Sequence, residues 1–195
     1  MMQTKTEPNE KAQEILKVAQ ELIQTRGYNG FSFRDVAAAV GIKSASIHYH
    51  FPTKAELARA TALAYRTTFS AALDRLRETH SSAPELLRAY GEFFFSTLND
   101  HGRVCLAGIL ASDAGALPQE VRAETTRFFD AQHIWIAEVL AQGQAAGEVN
   151  RAIDPATFAK TFLAGLEGAM IIARSTETPQ DLRDTVEQLI ALVSI

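Results

Sequence analysis

Apolar residues along this chain recur at intervals of three and four. The runs they form are separated by cap residues, glycines and prolines, not by the alternating β-branched stretches of strands. The pattern predicts an all-α chain of about nine helices. The first, from about Pro8 to Arg26, sets Ile15, Val18, Ala19, Leu22 and Ile23 on one face and stops at Gly27. Ser32 with Asp35 three residues on is a capping box, in which two side chains satisfy amides that lack helical partners. The helix it opens carries Val36, Ala37 and Val40 and ends at Gly41, where a sharp reversal needs positive φ. Ser44 starts a third helix with Ile47 and Phe51 inward. Lys43, Ser46, His48, Tyr49 and His50 are left on other faces.

Thr53 and Glu56 form a second capping box, opening a long helix to about Glu78 with Leu57, Leu63 and Leu73 inward. Ser82, Pro84 and Glu85 start the next, which bears Leu86, Leu87, Tyr90 and the run Phe93-Phe94-Phe95 and ends near His101-Gly102. A short helix from about Val104 to Asp113 follows. Pro118 is placed in the first turn of a long helix to about Ala146, stopped by Gly147. Asp154-Pro155 and Thr178-Pro179 each read as a cap followed by a proline at the first helical position, giving helices near 155–174 and 179–193. No repeat period or low-complexity tract interrupts the series.

With 195 residues and 47% apolar content the chain can bury one sizeable core, or carry a small head on a larger body. Charge is not evenly spread along the chain. Residues 1–54 hold seven Lys and Arg against five Asp and Glu, a surplus of two; the whole chain is at −4, which leaves −6 elsewhere. The basic end coincides with the helix, glycine turn and helix of residues 32–51, a device for reading a DNA groove. Met1 to Gln13 is polar, and no later segment is expected to approach the ~20 apolar residues that span a bilayer. The single cysteine, Cys105, excludes an internal disulfide framework. A cytoplasmic protein without a membrane partner is expected.

Residues Phe31–Phe51 with Pro52-Thr53-Lys54 resemble the TetR family of bacterial transcriptional repressors. Gly41-Ile42, Ile47, Tyr49-His50-Phe51 and Lys54 carry the match. His48 departs from it, because many members have tyrosine there; a polar contact replaces a stacking one. The resemblance implies that Ser32, Tyr49, His50 and Lys54 meet phosphates, while Arg34, Ser44, Ala45, Ser46 and His48 lie near base edges, with Lys43 beside them. It also implies residues 1–54 as a DNA-binding domain and 55–195 as a ligand-binding and dimerisation domain. One reading helix buries little surface, so two heads on a twofold axis are required for double-stranded operator DNA of near-palindromic sequence. A homodimer interface resembling the family's is expected from Phe158, Phe162, Leu166, Gly168 and Met170, and from Val186, Leu189 and Val193.

Members of the family hold an inducer among the middle helices, which makes Phe94, Phe128, Phe129, His133 and Trp135 candidates for contact with a small molecule. Each also fits an ordinary core. Cys105, after Gly102-Arg103, is placed where a guanidinium and free amides favour a thiolate, and Cys105-Leu-Ala-Gly-Ile-Leu looks like the branch that responds to electrophiles and oxidants. A buried apolar cysteine is the competing reading. No enzyme is expected. His48 and His50 point to nearly opposite sides of a helix, the Asp130 and His133 pair has no second such pair to build a di-iron site, and no phosphate-loop or dinucleotide motif occurs. No metal or cofactor is therefore expected. The alternative class is a helical enzyme or protein-interaction module that does not bind DNA.

Overall fold

The computed structural model describes residues 10–195 and contains, among these, nine α-helices. They are α1 (Glu10–Arg26), α2 (Phe33–Val40), α3 (Ser44–His50), α4 (Lys54–Thr79), α5 (Ala83–Asn99), α6 (Leu106–Ser112), α7 (Gln119–Ala146), α8 (Pro155–Thr176) and α9 (Gln180–Ala191). The expected start of the first helix at Pro8 lies outside the described residues. Three capping boxes close as the sequence requires: Ser32 with Asp35, Thr53 with Glu56 and Ser82 with Glu85. Gly41 and Gly147 adopt the left-handed conformation at φ 74° and 78°, which an L side chain rarely tolerates and which ends α2 and α7.

Three local expectations are corrected. Pro118 stands just before α7 instead of inside its first turn. Thr178 does not cap with a following first-position proline: its hydroxyl donates to the Asp181 carboxylate at 2.6 Å, and the helix begins after Pro179. Leu63 is only half-buried, because it lines an open groove between α1 and α4 with Leu16 and Phe51.

Two clusters of buried side chains organise the molecule. The first joins α1, α2 and α3 through Ile15, Ile23, Val36 and Ile47, and is sealed by Leu57 of α4, Leu106 and Leu110 of α6 and Val121 of α7. The second fills the body around Tyr90, Phe128, Ile136, Phe162 and Leu166. Helix α4 contributes to both, with Leu57 in one and Leu73 in the other, so it mechanically connects them. Polar ties reinforce the junction. Gln24, buried at the end of α1, donates to the Val104 carbonyl at 2.9 Å; the Tyr28 amide donates to Asp113; Arg174 of α8 donates to the Thr25 carbonyl at 2.7 Å.

Helix α8 overturns two expectations. At 22 residues and a mean hydropathy of 1.3 it is long and apolar enough to cross a membrane, although no such segment was expected. In the fold its inner face packs against α5, α7 and α9 and it carries Lys160, Glu167 and Arg174. The expected interface side chains Phe162, Leu166 and Met170 of α8, with Val186 and Val193 of the C-terminal segment, are buried in this chain's own core. Phe158 and Leu189 are half-buried against it. Only Gly168 faces open space: a Cβ built there meets nothing within 4 Å. The physical reason is periodic. The bulky stripe of an amphipathic helix packs inward first, and Ala164, Gly168, Ile171 and Ile172 are what remain outside.

Candidate nucleic-acid interface and interior site

Helix α3 is fixed by a single deep anchor, Ile47, which is fully buried, while Phe51 caps it by donating its amide to the Ile47 carbonyl at 2.8 Å. Everything opposite that anchor faces solvent. Lys43, Ala45, Ser46, His48 and Tyr49 are exposed, Ser44 and His50 half-buried, and Arg34 at the start of α2 is exposed beside them. Tyr49 is 84% exposed, a large aromatic that this chain leaves without cover. The structure thus leaves most of the residues expected near DNA open to solvent.

Three of the predicted contacts are more constrained than the sequence suggests. The Ser32 hydroxyl donates to the Asp35 carboxylate at 2.5 Å and its amide to the same oxygen at 2.8 Å, so a phosphate can take that proton only by opening the cap. The His48 ring packs edge-on to Phe33 at 4.5 Å, and its Nδ1 lies 3.2 Å from the Pro52 carbonyl. The hydrogen bond to a carbonyl places the proton on Nδ1 and leaves Nε2 to face outward. Lys54 does not extend freely. Its ammonium sits over Tyr28 and Phe31 at 4.7 and 4.6 Å from the ring centroids, and burial lowers its pKa from the usual lysine value.

Inside the body, two narrow seams, too thin for a water molecule, meet at Tyr65 of α4. The first is lined by Leu106, Glu124 and Phe128, the second by Phe69, Phe93, Phe94, Cys105 and Met170. Of the predicted small-molecule contacts, Phe94, Cys105 and Phe128 line this space. Phe129 packs edge-on to Phe128 at 5.7 Å and is half-buried, Trp135 stacks on Tyr90 at 5.5 Å, and His133 is half-buried near Asp130 and Lys160, its pKa lowered by burial. None of these three lines either seam.

The thiolate expectation for Cys105 is contradicted. The residue is buried just before α6, and its thiol pKa is pushed well above the usual value, first by burial and then by the Glu167 carboxylate. Arg103, expected to favour the thiolate, points the other way, pairing with Asp100 and with Glu21 of α1. The thiol instead lies 3.8 Å from the Tyr65 hydroxyl and hydrogen-bonds to Glu167. N-ethylmaleimide should therefore label native Cys105 at least about a hundredfold more slowly than the unfolded chain, because reaction requires local opening of a packed core. Intact-mass time courses check this. Full labelling within minutes, with loss of DNA binding, would restore the reactive-thiol reading.

Sequence reasoning did not assign Tyr65, Phe69 and Glu167, and assigned Met170 elsewhere. The signals were present: Tyr65 and Phe69 stand four apart on one helix, and Glu167 is a lone acid within the apolar run of α8.

Comparison with known proteins accords with this geometry. Residues 15–61 match the family of bacterial regulatory proteins named tetR, and residues 83–189 match the tetracyclin repressor-like C-terminal domain. The chain is similar to the transcriptional regulator AcuR of Cereibacter sphaeroides, with 29% identity over 87% of this chain and 79% of the relative. It is similar also to the repressor DhaR of a Mycobacterium species, with 24% identity over 82% and 80% of the two chains. A TetR-family transcriptional regulator from Agrobacterium tumefaciens superposes with a TM-score of 0.92 and 32% identity, covering 97% of this chain and all of that one.

Proposed function

Because this chain belongs to the TetR family of bacterial regulatory proteins, and so is a non-enzymatic DNA-binding transcriptional regulator, we propose that it acts as a homodimeric repressor. In this reading residues 1–54 hold a near-palindromic operator in the cytoplasm, and a small molecule inside residues 55–195 releases it. The observation that carries the reading is the exposed row on α3, with Arg34, Ala45, Ser46 and Tyr49 around a buried Ile47. A helix anchored by one side chain and polar outside suits the major groove, where small Ala45 and Ser46 permit close approach and Arg34 can take two hydrogen bonds from a guanine edge. Burial of Cys105 supports reversible occupancy over thiol modification as the releasing event.

The outer face of α8, with Ala164, Gly168 and the exposed Ile171 and Ile172, supports pairing with a second copy, and Leu192 after α9 is exposed as well. Release follows from α4. Lys54 at its start holds the aromatic floor of the head, and Tyr65, about 16 Å further along the axis, lines both interior seams. A ligand that widens the seams tilts this helix and changes the spacing of the two heads. It does so only in so far as it binds the tilted state more tightly.

Selection of bound sequences from random duplexes tests the reading. Two inverted half-sites one DNA turn apart, or a multiple of it, are expected, with affinity falling steeply as salt rises. Unselective, salt-insensitive binding would reject it in favour of a protein-interaction module.

A further inference from the structure

We propose that the interior site takes a small organic cation, an amine or a methylated ammonium, whose charge pairs with the Glu167 carboxylate while its alkyl groups lie against Tyr65, Phe69 and Phe94. The assignment rests on the reading that residues 55–195 hold an inducer, and names its chemical class.

Glu167 is electrostatically vacant. Its Oε1 is buried without a hydrogen-bond partner, and its other oxygen is pressed so close to α6 that a Cβ on Gly108 would come within 2.2 Å of it. Among the described residues it has no ion pair, and its one hydrogen-bonding side chain is the neutral Cys105 thiol. Glu124, a buried acid of α7, shows the usual alternative: it is held by Arg66 at 3.5 Å and Arg127 at 2.5 Å, whereas Glu167 is half-buried as a residue and only its Oε1 is closed off without a partner. An unpaired buried carboxylate is costly and takes up a proton or acquires a counter-charge. Here burial raises the Glu167 pKa to about 7, so the proton is held only weakly near neutrality.

The neighbouring seam suits the same charge. Cys105, bonded to Glu167, and Met170, one helical turn along α8, both line the space enclosed by Tyr65, Phe69, Phe93 and Phe94. Ring centroids there stand 5.5 to 6.4 Å apart around Phe69. Aromatic faces carry negative potential and attract cations, most strongly where water is excluded. An anionic ligand would meet a carboxylate and π faces together, and a neutral apolar one would leave Oε1 unpaired. The seam is too thin for any ligand as it stands, so entry parts α4 from α5 and α8, which is the motion that release of the operator needs.

The titratable groups that bear on Glu167 are Tyr65 from α4, Tyr90 from α5 and Cys105 before α6, and burial pushes all three upward, keeping them neutral near pH 7. A cation therefore competes with the Glu167 proton. Affinity should rise about tenfold per pH unit up to about 7 and level off above it, with release of about one proton per ligand at pH 6 and almost none at pH 8.5.

Isothermal titration of the full chain without DNA, at fixed ionic strength, tests this with n-butylammonium and butyltrimethylammonium against n-butanol and butyrate. The ammonium ions should bind, with affinity about a hundredfold weaker in Glu167→Gln. That variant should unfold at higher temperature than the native protein at pH 8, since it loses an unpaired buried charge, so its loss of binding is not a loss of fold. Failure of both ammonium ions to bind, equal binding of butanol or butyrate, or unchanged ammonium affinity in Glu167→Gln would overturn the proposal. Operator anisotropy run alongside separates the two levels. Release by butyrate or butanol but not by ammonium would remove the cation and leave the repressor, whereas absence of operator binding would remove the repressor itself.

Discussion

Ser46→Glu should weaken operator binding by at least about two orders of magnitude while leaving thermal unfolding unchanged. Ser46 lies in the first turn of α3 with its side chain exposed, so the substitution touches no core contact. A carboxylate near a helix N-terminus is if anything favourable to the helix, which keeps the fold out of the result. At the DNA surface the same group is repelled by phosphates and by the acceptor-rich floor of the groove, and it enlarges a position whose smallness allows close approach. Like-charge placement at an interface costs several kcal/mol, and about 3 kcal/mol is already two orders of magnitude in affinity. Ser46→Ala is the control: it removes at most one hydrogen bond, and should cost tenfold or less while relaxing preference at one base position. Fluorescence anisotropy with labelled operator at one salt concentration measures both. Equal affinities for the Glu variant and the native protein would mean that α3 does not enter the groove.

The second large effect concerns pairing. Ile172→Asp on the outer face of α8 should convert the protein to monomers of about 21 kDa and lower operator affinity at least about a hundredfold, because the second head no longer binds as part of the same molecule. Ile172 is 60% exposed in the single chain, so the substitution costs the isolated fold little, whereas a twofold interface would bury two carboxylates at once. Phe162→Ala makes the contrast. It empties a fully buried position between α8 and Tyr90, and should cost about 3 to 5 kcal/mol of folding stability whatever the oligomeric state. Sedimentation velocity separates the two results. A dimer that survives Ile172→Asp would place the interface elsewhere.

These two contrasts also show what was legible in the sequence. Local signals were read well wherever the physics is local: the Ser32, Thr53 and Ser82 caps, the positive φ of Gly41 and Gly147, and Ile47 as the anchor of α3 depend on a few neighbouring residues. The two-sided helix α8 was read with its faces confused. Periodicity reveals a bulky stripe, but not whether that stripe fills its own core or a partner's, and Phe162, Leu166 and Met170 proved internal. The interior site was the least legible. Cys105 was judged by its sequence neighbour Arg103, whereas its chemistry is set by Tyr65, forty residues earlier, and Glu167, sixty-two residues later. Contacts of that range leave no periodic trace. A lone acid in an apolar helix was the one hint.

The Lys54 ammonium illustrates a middle case. Its place at the start of α4 was legible, but its position over Tyr28 and Phe31 depends on how α1 returns against α4. It contributes positive potential from within an aromatic floor, while Arg34 and Lys43 remain the exposed cations of the reading surface.

Repression in the proposed function requires that two copies of this chain present two α3 helices to one operator. Its most direct test is the stoichiometry and affinity of binding to a selected full site and to the corresponding isolated half-site, measured by sedimentation equilibrium with labelled DNA. Two chains should occupy the full site, and a half-site should be bound at least about a hundredfold more weakly. One chain per full site, with the half-site bound equally well, would contradict it.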